Sequence, residues 1–273
     1  RLEMSDFCHA LDLRSREIFE YYILNATRNL HRIDQELELR RRDGEVVWLH
    51  LKAEVIENSG QETELVGAIQ DITQQKKVDQ LIEYQANYDL LTGLPNRALF
   101  QDRLHNALLH ALRRSTRIAV LFVDLDNFKS VNDNLGHDAG DELLVESARR
   151  IQSCIRSVDT VARYSGDEFV ALLVDVFSAS VASRIAEDMV LAMREPFSLG
   201  DRQVYCSASI GVSFYPDDGD NPDTLLIKSD QAMYEVKKSG RNAWQFYTAA
   251  MQLESEHKHR LYNELVAAIN DDQ

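Results

Sequence analysis

Two acidic runs stand beside strand-like apolar segments. Val123-Asp124-Leu125-Asp126-Asn127-Phe128-Lys129 closes the apolar run 118–123, and Ser165-Gly166-Asp167-Glu168-Phe169 lies between two further runs, 161–164 and 169–174. If these strands are neighbours, the carboxylates converge at one sheet edge. Oxygen ligands clustered in this way suit Mg²⁺, a hard ion that takes one or two carboxylates and fills its shell with water and substrate phosphate. Either acidic run alone reads as soluble punctuation; the pair does not. Gly166 lets a base or phosphate approach the turn because it has no Cβ. Lys237 and Arg241, four residues apart at a helix end, can face one anion, although without further context the better reading is a solvated basic terminus.

The chain of 273 residues carries 30 Lys plus Arg against 45 Asp plus Glu, a formal charge of −15. Such a surface repels a nucleic-acid backbone, so no nucleic-acid partner is expected. An anionic substrate then needs a local cationic pocket or bound metal. Cys8, Cys154 and Cys206 are odd in number and unpatterned, which argues against a disulfide framework or a zinc site and for a reducing, cytoplasmic setting. No apolar run approaches the ~20 residues of a membrane span, and the N-terminus lacks a signal-peptide profile. The first residue is Arg1 rather than Met. We therefore expect a fragment, with membrane or sensory parts of the full-length protein outside it.

The elements that must position these residues begin with a helix and then a sheet. Three strand-like stretches, QELELRRR, EVVWLHLKAEVIE and ELVGAIQDIT, follow from Gln35, the first two joined at Asp43-Gly44, a hairpin signal. With RRRDGEVVWLHL and the final DIT, residues 30–75 resemble the C-terminal half of a PAS sensor domain; the other reading is a small sheet that mediates packing or dimer contact. Residues 74–88 place Val78, Leu81, Ile82 and Gln85 at three- and four-residue steps, which predicts a helix with a narrow apolar seam, either a stalk or an exposed linker. From Asp89, helices are predicted over 96–115, 140–157, 181–194 and 223–239. Strands are predicted over 118–123, 161–164, 169–174, 204–214 and 244–247. That alternation predicts an α/β (α+β) sandwich, a central mixed sheet flanked by helices. The remainder, from Met251, reads as an amphipathic helix.

Five ordered motifs are similar to those of the GGDEF family: Asp89-Leu-Leu-Thr-Gly-Leu-Pro-Asn-Arg97, the stretch Phe122–Asp141, Arg163-Tyr-Ser-Gly-Asp-Glu-Phe169, Ser209-Ile-Gly-Val212 and Lys237-Lys-Ser-Gly-Arg-Asn242. The resemblance implies a fold related to nucleotide-cyclase and polymerase palm domains. It also implies diguanylate cyclase activity: two GTP condensed to cyclic di-GMP and pyrophosphate, with Mg²⁺ or Mn²⁺ as cofactor, two ions per active site. The domain organisation it implies is a partial PAS-like segment at 1–75, a helical stalk at 76–88, the GGDEF domain at 89–249 and a connector helix at 250–273.

Carried over residue by residue, Asp124, Asp167 and the Leu125 carbonyl are metal ligands. Glu168 serves the second metal or activates the attacking hydroxyl. Main-chain N–H groups of Asn127 and Phe128 hold the terminal phosphates, with Lys129, Lys237 and Arg241 adding charge. Asn132 and Asp141 read guanine: its Watson–Crick edge offers two adjacent donors that a carboxylate accepts together, while adenine leaves that carboxylate partly unpaired. Asp141 also falls in the first turn of the predicted helix, where an acid is favoured anyway.

Ser165 departs from the family's Gly, and strain is expected there if the position needs φ > 0. Arg156-Ser-Val-Asp159 stands five residues before Ser165, where many members carry an Arg-x-x-Asp product-inhibition site. Asp188 stands near where some place an additional Arg. The cyclisation implies a homodimer in which each protomer presents one GTP. A second reading is a GTP-binding regulatory module for an EAL-family cyclic di-GMP phosphodiesterase, because the tail from Met251 resembles the connector that precedes such domains. A third, a purely structural sensor-dimer protein, does not call for this set of acidic and basic residues.

Overall fold

The computed structural model describes residues 4–29, 32–57, 63–251 and 253. The chain divides into two compact units, residues 1–84 and 85–273.

In the first unit, α1 (Met4–Ala10) and α2 (Leu13–Asn29) precede an antiparallel sheet of β1 (Ile33–Arg40), β2 (Val46–Glu57) and β3 (Thr63–Asp71). Side chains alternate across a strand, so Ile33, Leu37 and Leu39 share one face with Leu49, Leu51 and Ala53. That face packs on Cys8, Leu11, Phe19 and Ala26. Gly44, at φ 92°, turns the β1–β2 hairpin in a conformation glycine adopts without steric cost. Helix α3 (Thr73–Asn87) starts where Asp71 Oδ1 accepts the Thr73 amide at 2.9 Å. Its Val78, Leu81 and Ile82 are exposed.

The second unit comprises α4 (Arg97–Arg114), β4 (Ile118–Leu125), α5 (Phe128–Leu135), α6 (His137–Ser153), β5 (Thr160–Ser165), β6 (Glu168–Leu173), α7 (Ala179–Arg194), β7 (Phe197–Leu199), β8 (Arg202–Val204), β9 (Ala208–Tyr215), α8 (Pro222–Lys238) and β10 (Ala243–Phe246). Five strands form a mixed sheet in the order β10-β9-β4-β6-β5, antiparallel except where β10 runs parallel to β9. Every residue of the central β4 is buried. Ala119, Leu121, Val123 and Leu125 face a core with Leu143, Ile151, Ile185 and Met189 of α6 and α7. Ile118, Val120 and Phe122 face Phe100, Leu104, Leu225 and Met233 of α4 and α8. Burial on both faces explains the unbroken apolar run, and each large side chain so buried contributes roughly 1.5–3 kcal/mol. This is the predicted sandwich, a mixed sheet with helices on both faces.

Several element bounds differ from expectation. Helix α5 was not anticipated, since Phe128–Leu135 contains two Asn and an Asp, residues that compete with the helical backbone for hydrogen bonds. Helix α6 runs from His137 to Ser153 rather than over 140–157, because Gly136, at φ 89°, turns the chain into it and Cys154 caps it. Asp141 is therefore not in the first turn, and the dipole gives no separate reason for an acid there. The strand expected over 204–214 is interrupted at Tyr205–Ser207, where the Asp126 amide bonds Ser207 O at 2.8 Å; β7 and β8 form a separate hairpin. No described helix is long and apolar enough to cross a membrane. The helix expected over 250–273 lies outside the described residues except at 250, 251 and 253.

Candidate active site

Strand pairing brings the two acidic runs to one sheet edge. β4 ends where β6 begins, with Asp124 opposite Glu168, and the Leu125 amide donates to Asp167 O at 3.3 Å. β9 starts at the same edge, Asp124 opposite Ser209 and Leu125 opposite Ala208. Alternation along β4 puts Asp124 on the side covered by α8, and from the end of α8 Lys237 Nζ reaches Asp124 Oδ2 at 2.7 Å. Helix α8 lies so close to β9 that a Cβ on Gly211 would stand 2.0 Å from Ser229 O. Only glycine permits that approach.

The cluster is electrostatically unbalanced. Burial raises the Asp124 carboxyl above its ordinary value against the pull of Lys237, and the charges of Asp167 and Asp126 add to the rise. Burial also raises Glu168, reinforced by Asp124, Asp230 and Asp167. Such a site gains from additional cations. Among the described residues no ready-made cage of three or more His, Cys, Asp or Glu side chains occurs. Mg²⁺ does not need one, since it is held by one or two carboxylates and completed by water and phosphate. The residues present fit that ion.

Gly166 carries the positive φ of the turn, 47°, whereas Ser165 is not among the positive-φ residues. The strain feared at Ser165 is absent. The turn is braced by Arg163, whose Nε donates to Gly166 O at 2.9 Å and whose Nη1 pairs with Asp89 Oδ2 at 3.1 Å. Burial would raise Asp89, but Thr92 hydrogen bonds and Arg163 outweigh it and hold the carboxyl below its usual range.

Beyond β4, Asn127 adopts a left-handed conformation, φ 59°, and α5 begins at Phe128. The first amides of a helix lack intrahelical acceptors and lie at its positive end, so those of Phe128 and Lys129 are donors for an anion. Lys129 is exposed beside them. Asn132, on α5, packs on Gly140 of α6, where a Cβ would stand 1.8 Å from Asn132 Oδ1. That Oδ1 is buried without a hydrogen-bond partner, and Asp141 follows Gly140 on the exposed surface.

Asp126 went unassigned in the sequence, yet it ties three loops together. Its carboxylate accepts from Ser207 Oγ at 2.6 Å, Ser209 Oγ at 2.7 Å and the Asn242 amide at 3.1 Å, with Arg241 Nε at 4.0 Å. Gly240, Arg241 and Asn242 all have positive φ, a costly run for two non-glycine residues. Arg194 also holds it, donating to Asn242 Oδ1 and O at 2.8 and 3.0 Å. The Ser in Ser209-Ile-Gly was the available clue to this anchor. The nearby Cys206 thiol is pushed up to about 12 by burial and by Asp126, Asp167 and Asp124.

Arg156 and Asp159 lie apart from this cluster, in the turn after α6 rather than on its last residues. Asp159 accepts from Arg156 Nε at 3.0 Å, Arg156 Nη2 at 3.2 Å and the amides of Arg156 and Val174 at 3.2 and 3.1 Å. Arg156 Nη2 also donates to Val174 O at 3.0 Å. Asp188 lies close enough to raise the Cys154 thiol, after burial, by its charge.

On a mixed sheet the structure thus joins a carboxylate edge, a cationic helix end and an amide-lined turn, groups able to bind a metal ion and a phosphate. The family described as diguanylate cyclase, GGDEF domain, matches residues 86–243, and the chain belongs to it. A bifunctional diguanylate cyclase/cyclic di-GMP phosphodiesterase of Pseudomonas aeruginosa, MucR, is 44% identical over 184 residues, 67% of this chain and 27% of that protein. Diguanylate cyclase TpbB of the same organism is 45% identical over 163 residues, 59% of this chain and 38% of that protein. Its solved GGDEF domain superposes with a TM-score of 0.61 at 42% identity, covering 62% of this chain and 99% of that one. The coiled coil and GGDEF domain of DgcB from Caulobacter crescentus, solved with c-di-GMP, gives 0.58 at 25% identity, covering 64% and 93%. The chain thus spans well under half the length of the two curated relatives.

Proposed function

We propose that this chain is an active diguanylate cyclase. The observation that carries the reading is the meeting of Asp124, Asp167 and Glu168 with Lys237 at one sheet edge, beside the free amides of α5. The triphosphate lies on the amides of Asn127, Phe128 and Lys129, with the side chains of Lys129, Lys237 and Arg241 neutralising it. Asn132 and Asp141 accept and orient guanine, and the orphaned Asn132 Oδ1 gains a partner there. Asp124, Asp167 and the Leu125 carbonyl hold Mg²⁺ or Mn²⁺. When bound, such ions lower the pKa of the ribose 3′-hydroxyl and neutralise the leaving pyrophosphate. Glu168, held above the ordinary carboxylate range, takes the hydroxyl proton. Each step forms one O3′–Pα bond and releases one pyrophosphate. Two steps, between nucleotides on facing protomers of a homodimer, close the ring.

In this reading residues 1–75 are a PAS-like sensor segment, 76–88 a stalk, 89–249 the cyclase domain and 250–273 a connector, and the product acts back at Arg156 and Asp159. A second reading, a GTP-binding module that regulates an EAL phosphodiesterase, is favoured by the likeness to the bifunctional MucR. Incubating the purified chain with GTP and Mg²⁺ and identifying products by mass separates the two. Cyclic di-GMP is expected; GTP bound and recovered intact would overturn the first reading in favour of the second.

A further inference from the structure

The residues assigned to the seated nucleotide lie on β4, α5, α6, the end of α8 and the Ser165–Glu168 turn. Beside that turn, against β5 and the start of α4, is a cleft of about 570 Å³ lined by Asn96, Arg97, Gln101, Tyr164, Ser165 and Gly166, among others. Arg97 is exposed, and its guanidinium rests 4.8 Å from the centre of the Tyr164 ring. Tyr164 is fixed in turn by an edge contact with Phe122 of β4, ring centres 5.4 Å apart. Among the described residues no carboxylate forms an ion pair with Arg97, whereas Arg163 in the same cleft is committed to Asp89 and Gly166 O.

Arg97 hydrogen-bonds the Tyr164 side chain on which it rests, and the fork of a guanidinium leaves its other N–H donors for a planar or tetrahedral anion. The cleft also opens directly onto the turn that carries Asp167 and Glu168. One chain supplies one set of guanine and triphosphate contacts, yet ring closure needs two nucleotides. The second must therefore reach this turn from outside the chain.

We propose that this cleft is a subsite for the guanine nucleotide held by a second copy of the chain, with Arg97 contacting its phosphates in trans. The inference rests on the cyclase reading and deepens it. Each active site is incomplete in the single chain. Arg97 of one protomer fixes the partner's α-phosphate while that phosphate is attacked by the 3′-hydroxyl of the nucleotide on Arg97's own protomer.

The test compares the parent chain with Arg97→Ala. 3′-Deoxy-GTP, which lacks the attacking hydroxyl, reports binding to a chain's own site. The variant should bind it within about twofold of the parent, while cyclisation of GTP falls by roughly tenfold or more, the loss expected for a charge-assisted hydrogen bond. Equal cyclisation rates, or weakening of 3′-deoxy-GTP binding in step with the rate, would overturn the trans assignment.

Mixing Arg97→Ala with Asp124→Ala sharpens the test. In the mixed dimer only the Arg97→Ala protomer keeps its own carboxylates, and the Arg97 it needs comes from the other copy. One bond then forms, giving the linear dinucleotide pppGpG faster than either variant forms that bond alone. A mixture no more active than its parts overturns the inference. A parent chain that makes no cyclic di-GMP overturns the cyclase reading, and this inference with it.

Discussion

The Asp167 turn and the Arg156–Asp159 loop are the two ends of β5, and both present acids to the same sheet, but they stand in opposite electrostatic states. Asp159 is a buried carboxylate whose side chain is 0% exposed and which accepts from one guanidinium and two amides. Asp124 is buried and Glu168 half-buried against like charge, with Lys237 as their close cation, and both are pushed up. One end of β5 has satisfied its charge and serves the fold. The other is left needing cations, as sites that work on anionic substrates commonly are, at a cost in stability met elsewhere in the core.

The contrast breaks most visibly if Asp124 is neutralised. Asp124→Asn should lower cyclic di-GMP synthesis by ~10³-fold or more, since a lost metal ligand removes several kcal/mol of charge stabilisation. Its stability should not fall. A carboxyl whose folded value is raised above 3.8 costs stability while ionised, and the cost fades as pH drops through that raised value. The variant should therefore be at least as stable as the parent at neutral pH, with the difference shrinking towards about pH 4. Thermal melts across pH with product assays check both halves; a variant markedly less stable at neutral pH would contradict the repulsive picture.

Asp159→Ala should do the reverse. It leaves Arg156 and the Val174 amide without their acceptor, a loss of about 2–4 kcal/mol by denaturant unfolding. The initial rate of the folded fraction should change little.

Within the nucleotide site, Asp141→Ser should move the ratio of GTP to ATP turnover by about tenfold, because the acceptor for both guanine donors is removed. A fixed ratio in paired rate measurements would exclude Asp141 as the base reader. The smallest effect is expected at Arg156. Its Nε and Nη2 are engaged by Asp159 and Val174 O, which leaves Nη1 for a ligand. Arg156→Ala should raise the cyclic di-GMP concentration that halves synthesis by roughly threefold, with inhibition non-competitive with GTP in the parent. Competition with GTP, or an unchanged inhibition curve in the variant, would reduce this loop to its structural role.

Much of the molecule is legible without coordinates. An unbroken apolar run at 118–123 has to be a strand buried on both faces, and the turn glycines and acidic ends mark where it stops. The alternation of periods along residues 89–247 sets a mixed sheet between helices. Residue type and spacing also nominate Asp124, Asp167 and Glu168, because hard-ion chemistry permits few other side chains, whereas Lys237 and Arg241 are picked out only by their likeness to the family's motifs. What local pattern does not carry is which charges find partners. Asp126 and Asp159 look as available in the sequence as Asp124, but each is sequestered by groups remote in the chain: Ser207, Ser209 and Asn242 for the first, the Val174 amide for the second. Arg97 reads as a helix-start residue until Tyr164 of β5 comes to lie beneath it. The sequence by itself determined the main helices and strands of residues 89–247, though not α5 or the β7–β8 hairpin, and the kinds of side chain at their ends. Only the tertiary structure decided which of those charges are neutralised and which remain free, because pairing energy depends on distance and burial, and both are set by strands far apart in the chain.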